Sequence, residues 1–132
     1  ESVLLDKTEN NIRTLERLRE IGATISMDDF GTGFSSLSYL RTFPFDKIKI
    51  DQSFVQTLGS DQRSLDIISA ITGLGRSFGM KTVAEGVETD PQRLFLRVCG
   101  CEYLQGYLFS RPVAPEAITQ MLARVQTERR AV

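Results

Sequence analysis

The sequence predicts an α/β fold of about four β-α units with parallel strands, and three observations carry that expectation. Short β-rich runs alternate with longer segments whose apolar residues recur at helical spacing. Glycine or proline closes each helix-like segment except the last. Charged or amide side chains gather at the C-terminal end of every predicted strand. Strands alternating with helices imply parallel pairing and right-handed crossovers. Two architectures satisfy this order. One is an open doubly wound sheet. The other is half of a (β/α)8 TIM-type barrel, since a whole barrel takes about 250 residues and the chain has 132.

The elements follow in order. Thr8 caps a helix running to Glu20, with Ile12, Leu15, Leu18 and Ile21 as its apolar stripe and Gly22 as its left-handed stop. Ala23 to Met27 is a β-rich run ending in Asp28-Asp29, and Gly31-Thr32-Gly33 is the loop after it. Ser35 to Arg41 reads as a short helix that must close before Pro44. Lys47 to Asp51 is the second strand. Leu65 to Phe78 is a helix with Ile67, Ile68, Ile71, Leu74 and Phe78 on one face, stopped by Gly79. Lys81 to Glu85 is the third strand. Asp90-Pro91 opens the next helix as cap and first residue, and Gly100 ends it. Glu102 to Leu108 is the fourth strand. Pro115 opens a last helix through Ala117, Ile118, Met121, Leu122 and Val125. The expected division is a domain over 1–125 and a polar tail over 126–132 that frays. Phe43, Phe45, Phe54 and Phe95 are expected in the core.

Composition excludes several function classes. A net charge of −1 argues against a broad nucleic-acid surface, so no DNA partner is expected. No apolar stretch is long enough to span a bilayer, and Glu1 does not open a signal peptide. The chain has no histidine, which removes Ser-His and Cys-His nucleophile pairs. Cys99 and Cys101 flank Gly100 and read as small apolar residues of a reduced, cytoplasmic protein. There is no phosphate-loop or dinucleotide fingerprint, and Gly73-Leu74-Gly75 falls inside a helix. Catalysis here must use carboxylates, lysine, amides or a metal.

Those groups sit at the strand ends: Asp28 and Asp29, then Lys49 and Asp51, then Glu85, then Gln105. In parallel β-α folds the C-terminal strand ends and their loops form the active face. Two adjacent carboxylates in one pocket need a proton or a cation between them. Hard oxygen ligands suit Mg²⁺ or Mn²⁺. The alternative is that Asp29 caps the following turn while Asp28 is solvated. Lys49 lies in an apolar run and must find a carboxylate, with Asp28 and Glu85 as candidates. Gln105 offers an amide to a base or a phosphate, or ties down a loop. Ser35 and Ser36 read as a helix N-terminus that caps itself or, as the alternative, binds a phosphate.

At these residues the sequence resembles a known family. Asp28-Asp29-Phe30-Gly31-Thr32-Gly33-Phe34-Ser35-Ser36-Leu37 is similar to the DDFGTG(Y/F)SSL signature of EAL domains. Pro44 to Asp51, Val83 to Thr89 and Gln105 to Pro112 resemble three further blocks of that family, in order. The resemblance implies a (β/α)8-type barrel that hydrolyses cyclic di-GMP to the linear dinucleotide pGpG with two Mg²⁺ or Mn²⁺ ions. It implies Asp28 as the metal-bridging aspartate, Asp29 as ligand of the second ion and Lys49 as the residue orienting the water. Glu85 would complete the metal site. Gln105 would line it, and Asp51 is placed with it on the substrate side. It implies loop-anchoring roles for Glu1, Glu88, Gly31 and Gly33.

The chain departs from the family by lacking the Glu-Ala-Leu motif, the metal-binding asparagine and the first glutamate of the E-x-[TS]-E-like strand. It therefore reads as the C-terminal half of the domain, strands five to eight. The isolated chain is expected to be inactive, and to pair with the missing half-barrel or a second copy of itself. GGDEF or sensor domains, and any membrane anchor, would lie upstream. A catalytically degenerate module that captures cyclic di-GMP or docks a protein is the alternative.

Overall fold

A computed structural model describes residues 9–32 and 37–130, with side chains as far as Ala123. Thr8, Glu1, Gly33, Ser35 and Ser36 lie outside the described residues. The elements are α1 (Glu9–Glu20), β1 (Ser26–Phe30), α2 (Leu37–Thr42), β2 (Lys47–Ile50), α3 (Gln52–Gln56), α4 (Gln62–Ser77), β3 (Lys81–Ala84), α5 (Asp90–Val98), β4 (Tyr103–Leu104) and α6 (Pro115–Arg130). The four strands are parallel and lie in sequential order, β1-β2-β3-β4. A doubly wound sheet reverses its strand order at a switch point. This sheet only steps forward, as a barrel wall does, so the half-barrel is the architecture observed.

Period-two alternation divides the sheet. Ile48 and Ile50 of β2 and Thr82 and Ala84 of β3 are buried on the helix-covered face. Ile48, Ile50 and Ala84 pack with Met27, Phe30, Val55, Ile68, Ile71, Met80, Val87 and Leu96 into one core. Each fully buried aliphatic side chain there contributes roughly 1.5–3 kcal/mol. Gly75 is the contact point of α4 with the sheet, since a Cβ there would come 2.7 Å from Thr82 Cγ2. The opposite, concave face carries Ser26, Lys47, Lys49, Val83 and Tyr103, and Lys47 Nζ lies 5.4 Å over the Tyr103 ring.

The rim where the strands begin is tied by carboxylates. Asp46 accepts from the Ile25 amide at 2.8 Å and pairs with Arg19 at 3.0 Å. Glu102 accepts from the Thr82 amide at 2.8 Å and from its hydroxyl at 2.5 Å. Burial works against the Glu102 carboxylate, but the Thr82 bonds and the Lys81 charge outweigh it and hold its pKa below the ordinary value. Cys99 and Cys101 are free, and burial pushes the Cys101 thiol up.

Several boundaries differ from expectation. β1 starts at Ser26, because residues to Ala23 close α1 through Gly22 N to Arg19 O and Ala23 N to Leu18 O. α4 begins at Gln62 under an Asp61 cap rather than at Leu65. Its buried line is Ser64, Ile68, Ile71, Thr72 and Gly75, which leaves Ile67 and Phe78 exposed. Thr89, not Asp90, caps α5, through a reciprocal capping box with Gln92. Phe95 on that helix is exposed, whereas Phe43 is buried. β4 keeps two residues of the expected seven. Beyond Leu104 the chain pairs with the loop after β3, through Val87 N to Gln105 O and Leu108 N to Val87 O. α6 runs from Pro115 to Arg130.

That last crossing depends on Gly106. A Cβ there would fall 2.1 Å from Val87 O and 2.2 Å from Val87 N, and backbone cannot swing aside as a side-chain tip does. Gly106→Ala is predicted to lose about 3 kcal/mol of stability, read as a lowered urea midpoint. An unchanged midpoint would contradict the crossing.

Candidate metal centre

The site begins with a slip in pairing. Met27 pairs with Ile48 and Phe30 with Ile50, so β1 spends one residue more than β2 over the same span. This β-bulge gives two β1 residues to one position of the partner strand. Met27 and Phe30 both stay buried, while Asp28 and Asp29 both stay exposed on the rim. The extra residue is accommodated at Asp29, whose φ of 50° lies in the left-handed region that aspartate tolerates better than most residues. Thr32 donates to Asp29 O from its amide at 3.3 Å and its hydroxyl at 2.9 Å, which closes the turn. Gly31 follows at φ 103°, and a Cβ there would strike the Phe54 ring at 2.8 Å. The paired aspartates thus share a rim through a bulge inside the strand.

Lys49 arrives on the next strand. Its ammonium donates to Asp28 Oδ1 at 2.9 Å and to Glu85 Oε1 at 2.5 Å, bridging carboxylates from the strands on either side. Burial works against the charge, but the hydrogen bonds and charges of Glu85 and Asp28 outweigh it and hold the Lys49 pKa above its ordinary value. Glu85 stands just past β3, positioned by its own amide donating to Ile50 O. Carboxylate oxygens of Asp28, Asp29 and Glu85 all lie within 4.8 Å of one another.

A cleft of about 300 Å³ opens beside them, lined by Asp29, Asp51, Gln52, Glu85, Glu88, Gln105 and Tyr107 among others. The predicted residues Asp51, Gln105 and Glu88 therefore reach the same cleft as the carboxylates. Asp51 also caps α3, accepting from Ser53 N at 2.9 Å. Two features escaped the sequence reading. Gln92 accepts from the amides of Glu88 and Thr89 and donates to Val55 O at 3.2 Å, joining the loop after β3 to α3. Its signal was present as Thr-x-x-Gln ahead of an apolar run. The guanidinium of Arg111 lies 4.4 Å over the Tyr107 ring.

The fold and site define a half-barrel with an acidic, cation-competent centre at the C-terminal ends of its strands. The chain belongs to the EAL domain family, whose model matches residues 1–112. It is 48% identical over 122 residues to cyclic di-GMP phosphodiesterase NbdA of Pseudomonas aeruginosa, covering 92% of this chain and 16% of NbdA. The EAL domain of Mycobacterium smegmatis DcpA superposes with a TM-score of 0.85 at 43% identity, covering 92% of this chain and 54% of that one. A manganese and cyclic di-GMP complex of Klebsiella pneumoniae BlrP1 superposes with a TM-score of 0.70 at 38% identity, over 76% of this chain and 26% of that one. The chain thus spans 16% of NbdA and 54% of the DcpA EAL domain. Among the described residues no helix is long and apolar enough to cross a membrane.

The Asp51 cap carries a pH signature. Hydrogen bonds from the Ser53 hydroxyl and then its amide hold the Asp51 carboxyl below its ordinary 3.8. A depressed folded-state pKa contributes stability that is present above about pH 3.8 and lost as pH falls through the lower folded value. Asp51→Ala is predicted to cost about 1 kcal/mol at neutral pH. That gap should narrow in denaturation series run below pH 3.8. A gap independent of pH would contradict the assignment.

Proposed function

We propose that this chain carries the second half of a metal-dependent phosphodiesterase site that hydrolyses cyclic di-GMP to linear pGpG in bacterial second-messenger signalling. The observation that supports it most is the convergence of Asp28, Asp29 and Glu85 around Lys49 at the strand ends. Those donors fit the cation: three carboxylates offer hard oxygens of the kind Mg²⁺ and Mn²⁺ take. On this reading the complete domain holds two such ions. Bound there, a divalent cation lowers the pKa of a coordinated water and offsets the charge of the diester.

The remaining work belongs to the chain's own groups. Asp28, Asp29 and Glu85 would hold the cations, each offering a carboxylate oxygen at the strand ends. Lys49 directs an N–H at the attacking water and fixes its orientation toward phosphorus. Gln105 presents its amide to the nucleotide from the end of β4, and Asp51 holds α3 on the same side of the cleft. Glu88 anchors the loop that carries Glu85, and Gly31 allows the turn behind the aspartates. The two free cysteines accord with a reducing, cytoplasmic setting.

The isolated chain is proposed to bind without turnover. The family's Glu-Ala-Leu residues are absent from it, and carboxylates on one side of a diester cannot hold both the attacking and the leaving oxygen. A working centre then needs the complementary half-barrel or a second copy. Among the described residues, β1 and β4 each pair on one side only, and such edges accept a partner.

Calorimetric titration of cyclic di-GMP into the chain, with and without Mn²⁺, tests this when followed by analysis for pGpG. The expected result is Mn²⁺-dependent binding, weakened at least tenfold by Asp28→Asn, and no product. Product abolished by the same substitution and rising more steeply than chain concentration would mean that paired copies rebuild the centre. Metal-independent binding would favour a nucleotide receptor, and no binding would sink the site assignment.

A further inference from the structure

We infer that Lys49 is the resident cation of this site: in the metal-free chain its ammonium holds together carboxylates that a metal would otherwise join, so metal uptake is an exchange. The inference rests on the metal-binding reading above. Its basis is the double bridge. One nitrogen lies 2.9 Å from Asp28 Oδ1 and 2.5 Å from Glu85 Oε1, and these carboxylates are two of the three that converge. Among the described residues the ion pairs of both Asp28 and Glu85 go to Lys49. Lys47, on the same face of the same strand, is turned instead to the Tyr103 ring. Asp28 Oδ1 also accepts from the Asp29 amide at 3.1 Å, so the oxygen that Lys49 grips is held from two directions.

Burial sharpens the effect. The Lys49 and Glu85 side chains are only 24% and 19% exposed, so water screens their charges less than at an open surface. Three carboxylates gathered without a cation repel one another. Lys49 relieves that repulsion at a fixed position, and the same charge opposes a dication arriving at the same oxygens. Removing it therefore has two effects of opposite sign. The metal-free chain loses stability, and the metal binds more tightly. A lysine that merely supported the fold would lower both, and one that only oriented water would leave metal affinity alone.

Mn²⁺ titrations of the full chain and of Lys49→Met and Lys49→Arg decide this. Lys49→Met is expected to melt at lower temperature without metal and to bind Mn²⁺ about tenfold more tightly, a difference of ~1.4 kcal/mol. Lys49→Arg keeps the charge and is expected to stay within about threefold of the unaltered chain, well short of that tenfold change. Mn²⁺ binding to Lys49→Met that is equal or weaker overturns the inference while leaving the metal site standing. No Mn²⁺ uptake by any of the three overturns both. Should Lys49→Met fail to fold, the unaltered chain answers alone through the nitrogen-15 resonance of the Lys49 ammonium. That signal is expected to shift as Mg²⁺ saturates the site, and a signal unchanged at saturation overturns the exchange.

Discussion

Like charges brought together are the constraint on which this structure turns. Asp28, Asp29 and Glu85 present oxygens within 4.8 Å of one another, and Lys49 makes that cluster tenable. The ammonium is placed by β2, whose alternation buries Ile48 and Ile50 and leaves Lys47 and Lys49 on the open face. Core packing and site geometry are thus two sides of one strand. Any shift of β2 that spoiled the packing of Ile48 and Ile50 would also withdraw the cation.

The two rims solve the same electrostatic problem differently. Where the strands begin, Asp46 and Glu102 accept from backbone amides, a hydroxyl and Arg19, so those carboxylates hold strands together. Where the strands end, Asp29 and Glu85 face a cleft, and Lys49 bridges Asp28 and Glu85. Groups whose capacity is spent on the fold have little left for a ligand. At the C-terminal rim Asp29, Asp51, Glu85 and Glu88 line the cleft.

Much of this was legible in the sequence, because the relevant patterns are local. Helical periodicity and strand alternation located the four β-α units, and polar residues at successive strand ends pointed to Asp28, Asp29, Lys49 and Glu85. What was not legible depends on partners distant in sequence. The bulge at Asp29 exists only as a register against β2, so alternation alone could not explain two adjacent aspartates on one rim. β4 is short because Gln105 to Leu108 bond to the loop around Val87. α3 is a five-residue helix set by the Asp51 cap, too short to show a period. Asp90-Pro91 also fits a cap followed by proline, and only the reciprocal bonds with Gln92 mark Thr89 as the cap.

Membership of the EAL family and the forward-stepping sheet describe a half-barrel whose strand-end carboxylates gather around Lys49. The most direct test is anomalous diffraction from crystals of this chain grown with Mn²⁺. The account predicts an anomalous peak at the strand ends, within about 2.0–2.6 Å of carboxylate oxygens of Asp28, Asp29 and Glu85. Manganese found only elsewhere on the surface, with Lys49 still seated between Asp28 and Glu85, would contradict it.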